Sequence, residues 1–214
     1  MKFTPPKKEC DLCPRLCEFR IKNQEKYPHY HNGSVTPFGD LSAEILIVGL
    51  APGLNGANQT NRPFTNDYAG DVLYPILKQY GFAKGTYQKR KDDGYELINV
   101  RITNAVRCVP PENKPTTEEE KTCRQFLINE IGAMSNLKII LCLGTISHKN
   151  VLQALGLKQS YAKFKHGEIY TLPTRQKLTL IDSYHTSRYN INTGVLTYEM
   201  FEEIIKKIKG LLNQ

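Results

Sequence analysis

Four cysteines in this chain are spaced so that they can hold a metal centre. Cys10 and Cys13 form a C-x2-C pair, the spacing at which one turn of backbone presents two thiolates to one centre. Cys108 and Cys123 are a second pair that could supply two more. Four thiolates suit either tetrahedral zinc or an iron–sulfur cluster, and the sequence "CDLCP" together with the wide second spacing favours iron–sulfur.

Disulfide bonding is the alternative use of these thiols. Disulfides are rare in the cytoplasm, where we expect this protein because "MKFTPPKKEC" has no hydrophobic leader and no apolar stretch is long enough to span a membrane. Cys17 is interpreted as a bystander, with replacement of one of the four ligands as the alternative. Cys142, inside "IILCLG", is interpreted as an inert core residue. The centre is expected to tie an N-terminal arm, residues 1–40, to the rest of the chain.

A glycine-rich loop is the second candidate for chemistry. Gly49–Gly70 reads "GLAPGLNGANQTNRPFTNDYAG" and directly follows the apolar run "EILIV". Loops of this kind often bind phosphate, but this one lacks both the G-x-x-x-x-G-K-[ST] pattern and the G-x-G-x-x-G pattern. The loop is therefore expected to bind something other than a nucleotide phosphate.

The elements that must position these residues alternate between strand and helix. Four apolar runs, "AEILIVGL", "LINVRIT", "KIILCLG" and "KLTLID", predict strands that are buried on both faces. Helices are predicted for "DVLYPILKQYG", "TTEEEKTCRQFLINEIGAM", "TISHKNVLQALG" and "TYEMFEEIIKKIKGLLN", the second with a capping box of Thr116 with Glu119 or Thr117 with Glu120. We therefore predict a single α/β domain over 1–214, a three-layer α/β/α sandwich around a mostly parallel four-stranded sheet.

The topology predicts where on this domain a ligand binds, and the charge indicates what kind of partner it has. In such a sheet the loops after the strands meet at one edge, which is where ligands bind. The formal net charge of +8 and the pI of about 9.1 favour a polyanionic partner without identifying it.

Three motifs in order resemble one known family. They read "GLAPG…GAN.T.RPFT.D.AG", "TNAVRCVPP.NKPT..E...C" and "YH.SR.N.NTG.LT..M". Together with the cysteines, from Cys10 to Met200, they resemble the uracil-DNA glycosylase superfamily and, within it, the iron–sulfur-bearing family 5, or type b. Departures are Asn55, Asn66 and Thr186, where members often have His, Gly and Pro.

The resemblance implies a DNA-repair enzyme. It would flip uracil out of DNA, at a cost of a few kcal/mol, and hydrolyse the N-glycosidic bond without a lyase step. It also implies a 4Fe–4S cluster on the four paired cysteines, with zinc as the alternative. The partner would be double-stranded DNA containing uracil, and single-stranded DNA is a further candidate. Other deaminated bases are candidate substrates, and the protein is expected to be a monomer that does not bind membranes.

The same resemblance implies a base pocket. Phe64 would stack on the flipped base, a contact worth roughly 1–3 kcal/mol. Asn104 would read the base edge, because one amide offers both a donor and an acceptor to uracil. The remaining contacts are expected from the glycine-rich loop, where glycine allows close backbone approach, at Gly49, Ala51, Gly53 and Asn58.

Catalysis is assigned to three residues on the same basis. His185, in "YHTSR", would hydrogen-bond the carbonyl of the departing base, which a neutral imidazole can do. The stretch "GLAPG" lacks the polar side chain that other branches place there, so Asp67 is expected to activate water or to face the cationic sugar, helped by Asn55 or Asn58. The alternative for Asp67 is an N-cap of the following helix.

A final group of residues is expected to contact DNA. The segment "SRYNINTG" is expected to enter the minor groove, with Arg188 on phosphates or base edges and Tyr189 as a wedge. The full set of expected DNA contacts is Arg62, Ser187, Arg188, Tyr189 and Asn190.

Two other function classes fit part of the pattern. A non-catalytic, metal-stabilised nucleic-acid-binding protein of the same fold would explain the missing polar residue in "GLAPG". A nucleotide phosphohydrolase would need a cluster of carboxylates for divalent metal, which these loops do not obviously supply. The range of bases removed stays open.

Overall fold

The computed structural model describes residues 3–174 and 176–212, so the first two residues of the expected arm lie outside the described residues. In chain order the helices and strands are α1 (Pro14–Lys26), β1 (Ile45–Gly49), α2 (Ala57–Thr60), α3 (Tyr68–Gln79), β2 (Ala83–Lys84), β3 (Glu96–Leu97), β4 (Val100–Asn104), α4 (Thr117–Ala133), β5 (Ile139–Leu143), α5 (Thr145–Ala154), β6 (Ile169–Thr171), β7 (Thr179–Ser183), α6 (Arg188–Asn192) and α7 (Tyr198–Leu212). Two 3-10 turns lie at Pro111–Asn113 and Gln159–Tyr161.

The central sheet has five strands rather than the predicted four. Their order is β4-β1-β5-β7-β6, and the first four are parallel. The added strand, β6, pairs antiparallel with β7 at the edge. It has only three residues, none of them buried, so it lacks the continuous apolar run that identified the other four. A separate two-stranded hairpin joins β2 to β3.

The predicted three-layer arrangement is confirmed. Alternate residues of β1 point to opposite faces, as in any strand. Ile45 and Ile47 belong to the core formed with α3 and α7, whereas Leu46 and Val48 belong to the core formed with α4 and α5. The apolar stripe of α7 packs into the first core.

The helix termini follow local rules where the sequence is clear. At α4 the capping box is the one between Thr116 and Glu119: the Thr116 hydroxyl accepts from the Glu119 N–H at 3.2 Å, and the Glu119 carboxylate accepts from the Thr116 N–H at 2.8 Å. Helix α1 was not predicted, because its buried face includes the polar Arg20 and Asn23. Pro14 at its first turn is the signal that could have found it.

Strands β1 and β4 end side by side, with Gly49 opposite Asn104 in the register. The loops after β1, β4 and β7 leave from this same edge of the sheet, as predicted. Within the described residues, no helix has the length and apolar character needed to cross a membrane.

Candidate active site

A pocket of about 280 Å³ lies at the edge of the sheet where β1, β4 and β7 end. It brings together many of the residues expected from sequence. Its lining consists of Leu50, Ala51, Pro52, Gly53, Phe64, Asp67, Tyr68, Ala69, Asn104, Asn113, His185, Ser187 and Arg188.

One wall of the pocket depends on close packing around Gly49. A Cβ at Gly49 would lie 2.4 Å from the Asn104 Oδ1 atom and 2.5 Å from the Phe64 Cζ atom, distances that real side chains do not tolerate. Phe64 itself has a φ of +57°, which is rare for a bulky residue and is a feature often found at functional sites. The ring of Phe64 lies 6.0 Å from that of His185, centroid to centroid. Gly49 therefore allows Phe64 and Asn104 to meet side by side in the pocket.

Asp67 is directed across the glycine-rich loop and not toward its own helix. Its backbone occupies the N-cap position of α3, but its side chain makes no capping hydrogen bond. Instead its carboxylate accepts from the Ala57 N–H at 3.4 Å and lies against Gly53 and Gly56. Burial raises the pKa of Asp67 to about 6. The site thus contains a carboxylate that changes charge just below neutral pH.

His185 presents an uncharged imidazole to the pocket. Burial lowers the pKa of His185 to about 4, so the ring is neutral at pH 7. Within residues 3–174 and 176–212 the His185 ring has no hydrogen-bond partner, and the residue lines the pocket. The backbone carbonyl of His185 accepts from the Asn190 side chain at 2.8 Å, and the Ser187 hydroxyl accepts from the Asn190 N–H at 3.3 Å. Ser187 and Asn190 therefore hold the turn that carries His185.

The mouth of the pocket is cationic and aromatic. The Arg188 guanidinium lies 5.3 Å from the centroid of the Tyr68 ring. The Tyr68 hydroxyl in turn lies 3.5 Å from that of Tyr198. Tyr189 is 72% exposed, unusually high for an aromatic side chain. Exposed aromatic faces beside a cation suit a nucleic-acid surface.

The four paired cysteines converge on a second, separate cavity. Cys10, Cys13, Cys108 and Cys123 all line it, together with the apolar side chains of Leu12, Leu16, Val106 and Phe126. Burial, reinforced by the neighbouring thiols, raises the pKa of Cys13 to about 11 and that of Cys108 to about 12. Among the described residues no three His, Cys, Asp or Glu side chains approach closely enough to hold a single metal ion.

The other two cysteines lie outside this cavity. The Cys17 thiol donates to the Cys10 carbonyl at 3.4 Å, so it supports the ligand loop without lining the cavity. Cys142 is fully buried in β5, where it packs in the core. The chemistry of the four remaining donors fits a centre held by thiolates.

Comparison with known proteins now identifies the family. The family model described as the uracil DNA glycosylase superfamily matches residues 36–209, which include the whole pocket. The chain belongs to that superfamily. Among curated relatives it is 41% identical to the type-5 uracil-DNA glycosylase of Thermus thermophilus, over 94% of this chain and 93% of the relative. It is 38% identical to the type-5 enzyme of Pyrobaculum aerophilum, over 92% and 87%, and 33% identical to the type-4 enzyme of that organism, over 70% of each.

The structure does not favour one of the expected DNA contacts, Arg62, because its side chain is held inside the protein. Arg62 is 3% exposed, and its guanidinium forms two hydrogen bonds of 2.8 Å to the Asp93 carboxylate. A third bond, of 2.6 Å, reaches the Thr65 hydroxyl, and the rings of Tyr74 and Tyr87 cover the same guanidinium. Three of the guanidinium N–H groups thus bond inside the protein, and the side chain is shielded from solvent.

Two expected pocket residues are not brought to the pocket. Asn55 is exposed, and its side-chain oxygen accepts from the Tyr30 hydroxyl at 3.4 Å. Asn58 is buried and donates to the Asn32 side chain at 2.9 Å, which connects the loop to the N-terminal arm. Neither residue lines the pocket.

The departures from the family pattern have local explanations. Asn66 has a φ of +62°, a conformation that glycine adopts freely and that asparagine tolerates better than most residues. Its side chain donates to the Asn55 carbonyl at 2.8 Å and to the Gln59 side chain at 2.9 Å. Thr186 is fully buried and donates to the Ala69 carbonyl at 3.3 Å, which joins the His185 turn to α3.

Two lining residues that carry polar groups, Asn113 and Tyr68, were not predicted from the sequence. Asn113 lines the pocket from the 3-10 turn between Cys108 and Cys123, with a φ of +56°. Its place within "VPP.NKP", in the second motif, was a signal that could have found it. Tyr68 was interpreted only as part of the helix that follows Asp67, although it stands directly next to that candidate catalytic residue.

Proposed function

We propose that this chain is a type-5 uracil-DNA glycosylase, which removes uracil from DNA as a step of DNA repair. The superfamily match and the relatives that cover almost the whole chain support this function. The observation that carries it is the composition of one pocket: an aromatic face, an amide, an uncharged imidazole and a carboxylate of raised pKa. Each of these groups has a task in hydrolysing the bond between a base and its sugar.

Base recognition is assigned to Phe64 and to two amides. The Phe64 ring would stack on the flipped uracil, and the Asn104 amide would pair with its adjacent N–H and carbonyl groups. Asn113 offers a second amide from the opposite loop. Ala51 and Gly53 line the same pocket, so their backbone atoms would complete the contact with the base.

Departure of the base is assigned to His185. As the glycosidic bond breaks, its electron pair moves to N1 of uracil, and negative charge spreads to the ring carbonyls. A neutral imidazole N–H can donate to such a carbonyl as it gains charge. The lowered pKa of His185 means that it acts as a hydrogen-bond donor to the anion and transfers no proton.

Attack by water is assigned to Asp67. The ionised carboxylate would stabilise the positive charge that develops on the sugar, and it would accept a proton from the water whose oxygen bonds to C1′. This makes the reaction a hydrolysis, with water and not an amine of the chain as nucleophile, hence a glycosylase without lyase activity. The raised pKa makes Asp67 a better base than an ordinary aspartate.

The cysteine cavity is proposed to hold a 4Fe–4S cluster. Zinc is the less favoured alternative, because no three of the described His, Cys, Asp or Glu side chains approach closely enough to hold a single ion. Its four thiols come from the segment directly before α1, the loop after β4 and the middle of α4. When bound, the cluster would act as a covalent cross-link and supply no group to the hydrolysis. Cys10 and Cys13 would then fix the arm of residues 1–40 to the rest of a single domain over 1–214.

The substrate is proposed to be double-stranded DNA containing uracil, with single strands and other deaminated bases as further candidates. The net charge of +8 and the cation at the pocket mouth support a polyanionic partner. Arg188 and Tyr189 are proposed to contact DNA beside the flipped nucleotide. The protein is proposed to act as a monomer in the cytoplasm.

The test is excision of uracil from a labelled duplex with uracil opposite guanine, read by alkaline strand cleavage in the presence of chelator. Asp67→Asn is compared with Asp71→Asn, a carboxylate in the same helix that pairs with Lys89 outside the pocket. We expect Asp67→Asn to lower the single-turnover rate about 100-fold or more while duplex binding persists, and Asp71→Asn to match wild type. Equal rates for all three would remove Asp67 from the mechanism. A wild type that binds the duplex without cleavage would identify a binding protein that has kept the fold.

A further inference from the structure

The wall of the cysteine cavity contains one buried cation. Arg107 directly precedes Cys108, lines the cavity with the four cysteines, and is 1% exposed. Its backbone N–H also donates to the Cys123 sulfur at 3.4 Å. Arg107 therefore contacts Cys123 through its backbone and also forms part of the cavity wall.

The side chain of Arg107 has donors without acceptors. A guanidinium has five N–H groups. In Arg107 the Nη2 atom donates to the Glu130 carboxylate at 2.5 Å, but Nε and Nη1 are buried and have no hydrogen-bond partner among the described residues. Buried charged donors left in this state cost several kcal/mol, so an acceptor is expected nearby.

The charges around the cavity are also unbalanced. Glu130 is shared between Arg107 and Arg101, with a further hydrogen bond of 2.9 Å from the Thr103 hydroxyl. One carboxylate thus faces two guanidinium groups. Arg20, 8% exposed, adds another positive charge and donates to the Cys10 carbonyl at 2.7 Å. An anionic group bordering these arginines would balance them, and a centre held by four thiolates is anionic.

We propose that Arg107 is the charge partner of the cysteine centre, with Nε and Nη1 donating to its sulfur atoms while Nη2 binds Glu130. This inference rests on the cluster proposed above. Hydrogen bonds to the sulfurs and nearby charge are two of the means by which a protein sets the potential and the stability of such a cluster. A cation favours the more negative, reduced state, so Arg107 would raise the reduction potential and slow the loss of iron.

The test compares Arg107→Gln with Arg101→Gln, a matched control that removes the other arginine of Glu130 and does not line the cavity. The readouts are iron and sulfide per chain, the midpoint potential from spectroelectrochemistry, and the rate of iron release to a chelator. We expect Arg107→Gln to lower the midpoint potential and to release iron about tenfold faster or more, because the variant loses hydrogen bonds to the sulfur atoms of the centre. Arg101→Gln should match wild type in both.

Arg107→Lys keeps the test decisive if Arg107→Gln does not fold. Its single ammonium retains the charge, but it presents no planar set of donors to Glu130 and to sulfur together. We expect its iron release to be faster than that of Arg101→Gln. Equal potentials and equal release rates for the Arg107 variants and Arg101→Gln would overturn the role of Arg107 and leave the cluster intact. Wild-type protein without iron and sulfide would overturn the cluster itself.

Discussion

The Asp67 carboxylate lies so close to Gly56 that a Cβ on that glycine would come within 2.0 Å of it. The same carboxylate accepts from the N–H of the next residue, Ala57, at 3.4 Å. The glycine-rich loop therefore surrounds a carboxylate of the protein itself. Glycine at Gly56 is what allows the loop backbone to approach Asp67 from that side.

Replacing Gly56 is expected to displace Asp67. In Gly56→Ala the new methyl group must push the carboxylate away, because it would overlap both carboxylate oxygens. A shift of about 1 Å in a catalytic group can lower the rate on the order of 100-fold. The measurement is single-turnover excision of uracil. Gly132→Ala is the control: a Cβ at Gly132, in α4, meets nothing within 4 Å, so the rate should not change. Equal rates for the two variants would mean that the position of Asp67 is not critical.

The rate should depend on pH through Asp67 alone. With a pKa of about 6, Asp67 is ionised above that pH and protonated below it. His185, with a pKa of about 4, stays neutral over the same range. We expect kcat/KM to rise with a single ionisation near pH 6 and to be flat above about pH 7. Asp67→Asn should remove this ionisation from the residual activity. A wild-type profile that rises only near pH 4 would assign the dependence to His185 instead.

The same pKa predicts that Asp67 destabilises the fold at neutral pH. Its pKa is raised from 3.8 to about 6 on folding, so the folded state binds the proton more tightly and loses stability as the pH rises through this interval. Asp67→Asn should therefore increase the free energy of unfolding at pH 7 by about 1–3 kcal/mol, at about 1.4 kcal/mol per pKa unit. Near pH 4 the gain should largely disappear. Urea unfolding of both proteins at the two pH values checks this, and equal stability at pH 7 would contradict it.

The sequence was informative where burial leaves a simple pattern. The four parallel strands are apolar on both faces, and α7 has a regular apolar stripe, so both were predicted from residue type alone. The edge strand β6 and helix α1 were missed because their patterns are not apolar: β6 has no buried residue, and α1 buries Arg20 and Asn23. Their positions depend on partners elsewhere in the chain.

The site shows the same limit. The choice between a catalytic and a capping role for Asp67 could not be made from sequence, because both roles favour the same residue at the same position. The structure shows where the carboxylate points, toward Gly53 and Gly56. Arg62 was assigned to DNA because arginine often binds phosphate, but its actual partner, Asp93, lies 31 residues away in a segment without a motif. Spacing along the chain does not reveal such pairs.

The cysteines should differ in their effect on the bound centre. Serine at Cys10, Cys13, Cys108 or Cys123 removes a thiol from the cavity, so each variant should contain less iron and sulfide than wild type. Cys17→Ser should keep the full content, because a serine hydroxyl can still donate to the Cys10 carbonyl. Iron and sulfide assays on the purified variants provide the comparison. Loss of iron in Cys17→Ser, with full retention in one of the four, would reassign that ligand.

The two arginines that were expected to bind DNA should have opposite effects. Arg62→Gln leaves Asp93 as an unpaired charge. Burial alone would raise the pKa of Asp93, but hydrogen bonds from Arg62 and the backbone lower it to about 2, so these bonds stabilise the ionised carboxylate strongly. Breaking such a pair costs roughly 3–5 kcal/mol of stability. Arg188 is exposed at the pocket mouth, so Arg188→Gln should leave the free energy of unfolding within about 0.5 kcal/mol of wild type.

DNA binding should be weakened by the Arg188 substitution and not by the Arg62 substitution. Arg188→Gln is expected to weaken duplex binding and to lower the salt dependence of the binding constant by about one ion, as loss of one phosphate contact does. The folded fraction of Arg62→Gln should keep the wild-type salt dependence, because its guanidinium contacts Asp93, Thr65 and aromatic rings but no solvent-facing group. Urea unfolding and salt titrations of both variants measure the two effects. A reduced salt dependence in Arg62→Gln would return Arg62 to the DNA interface.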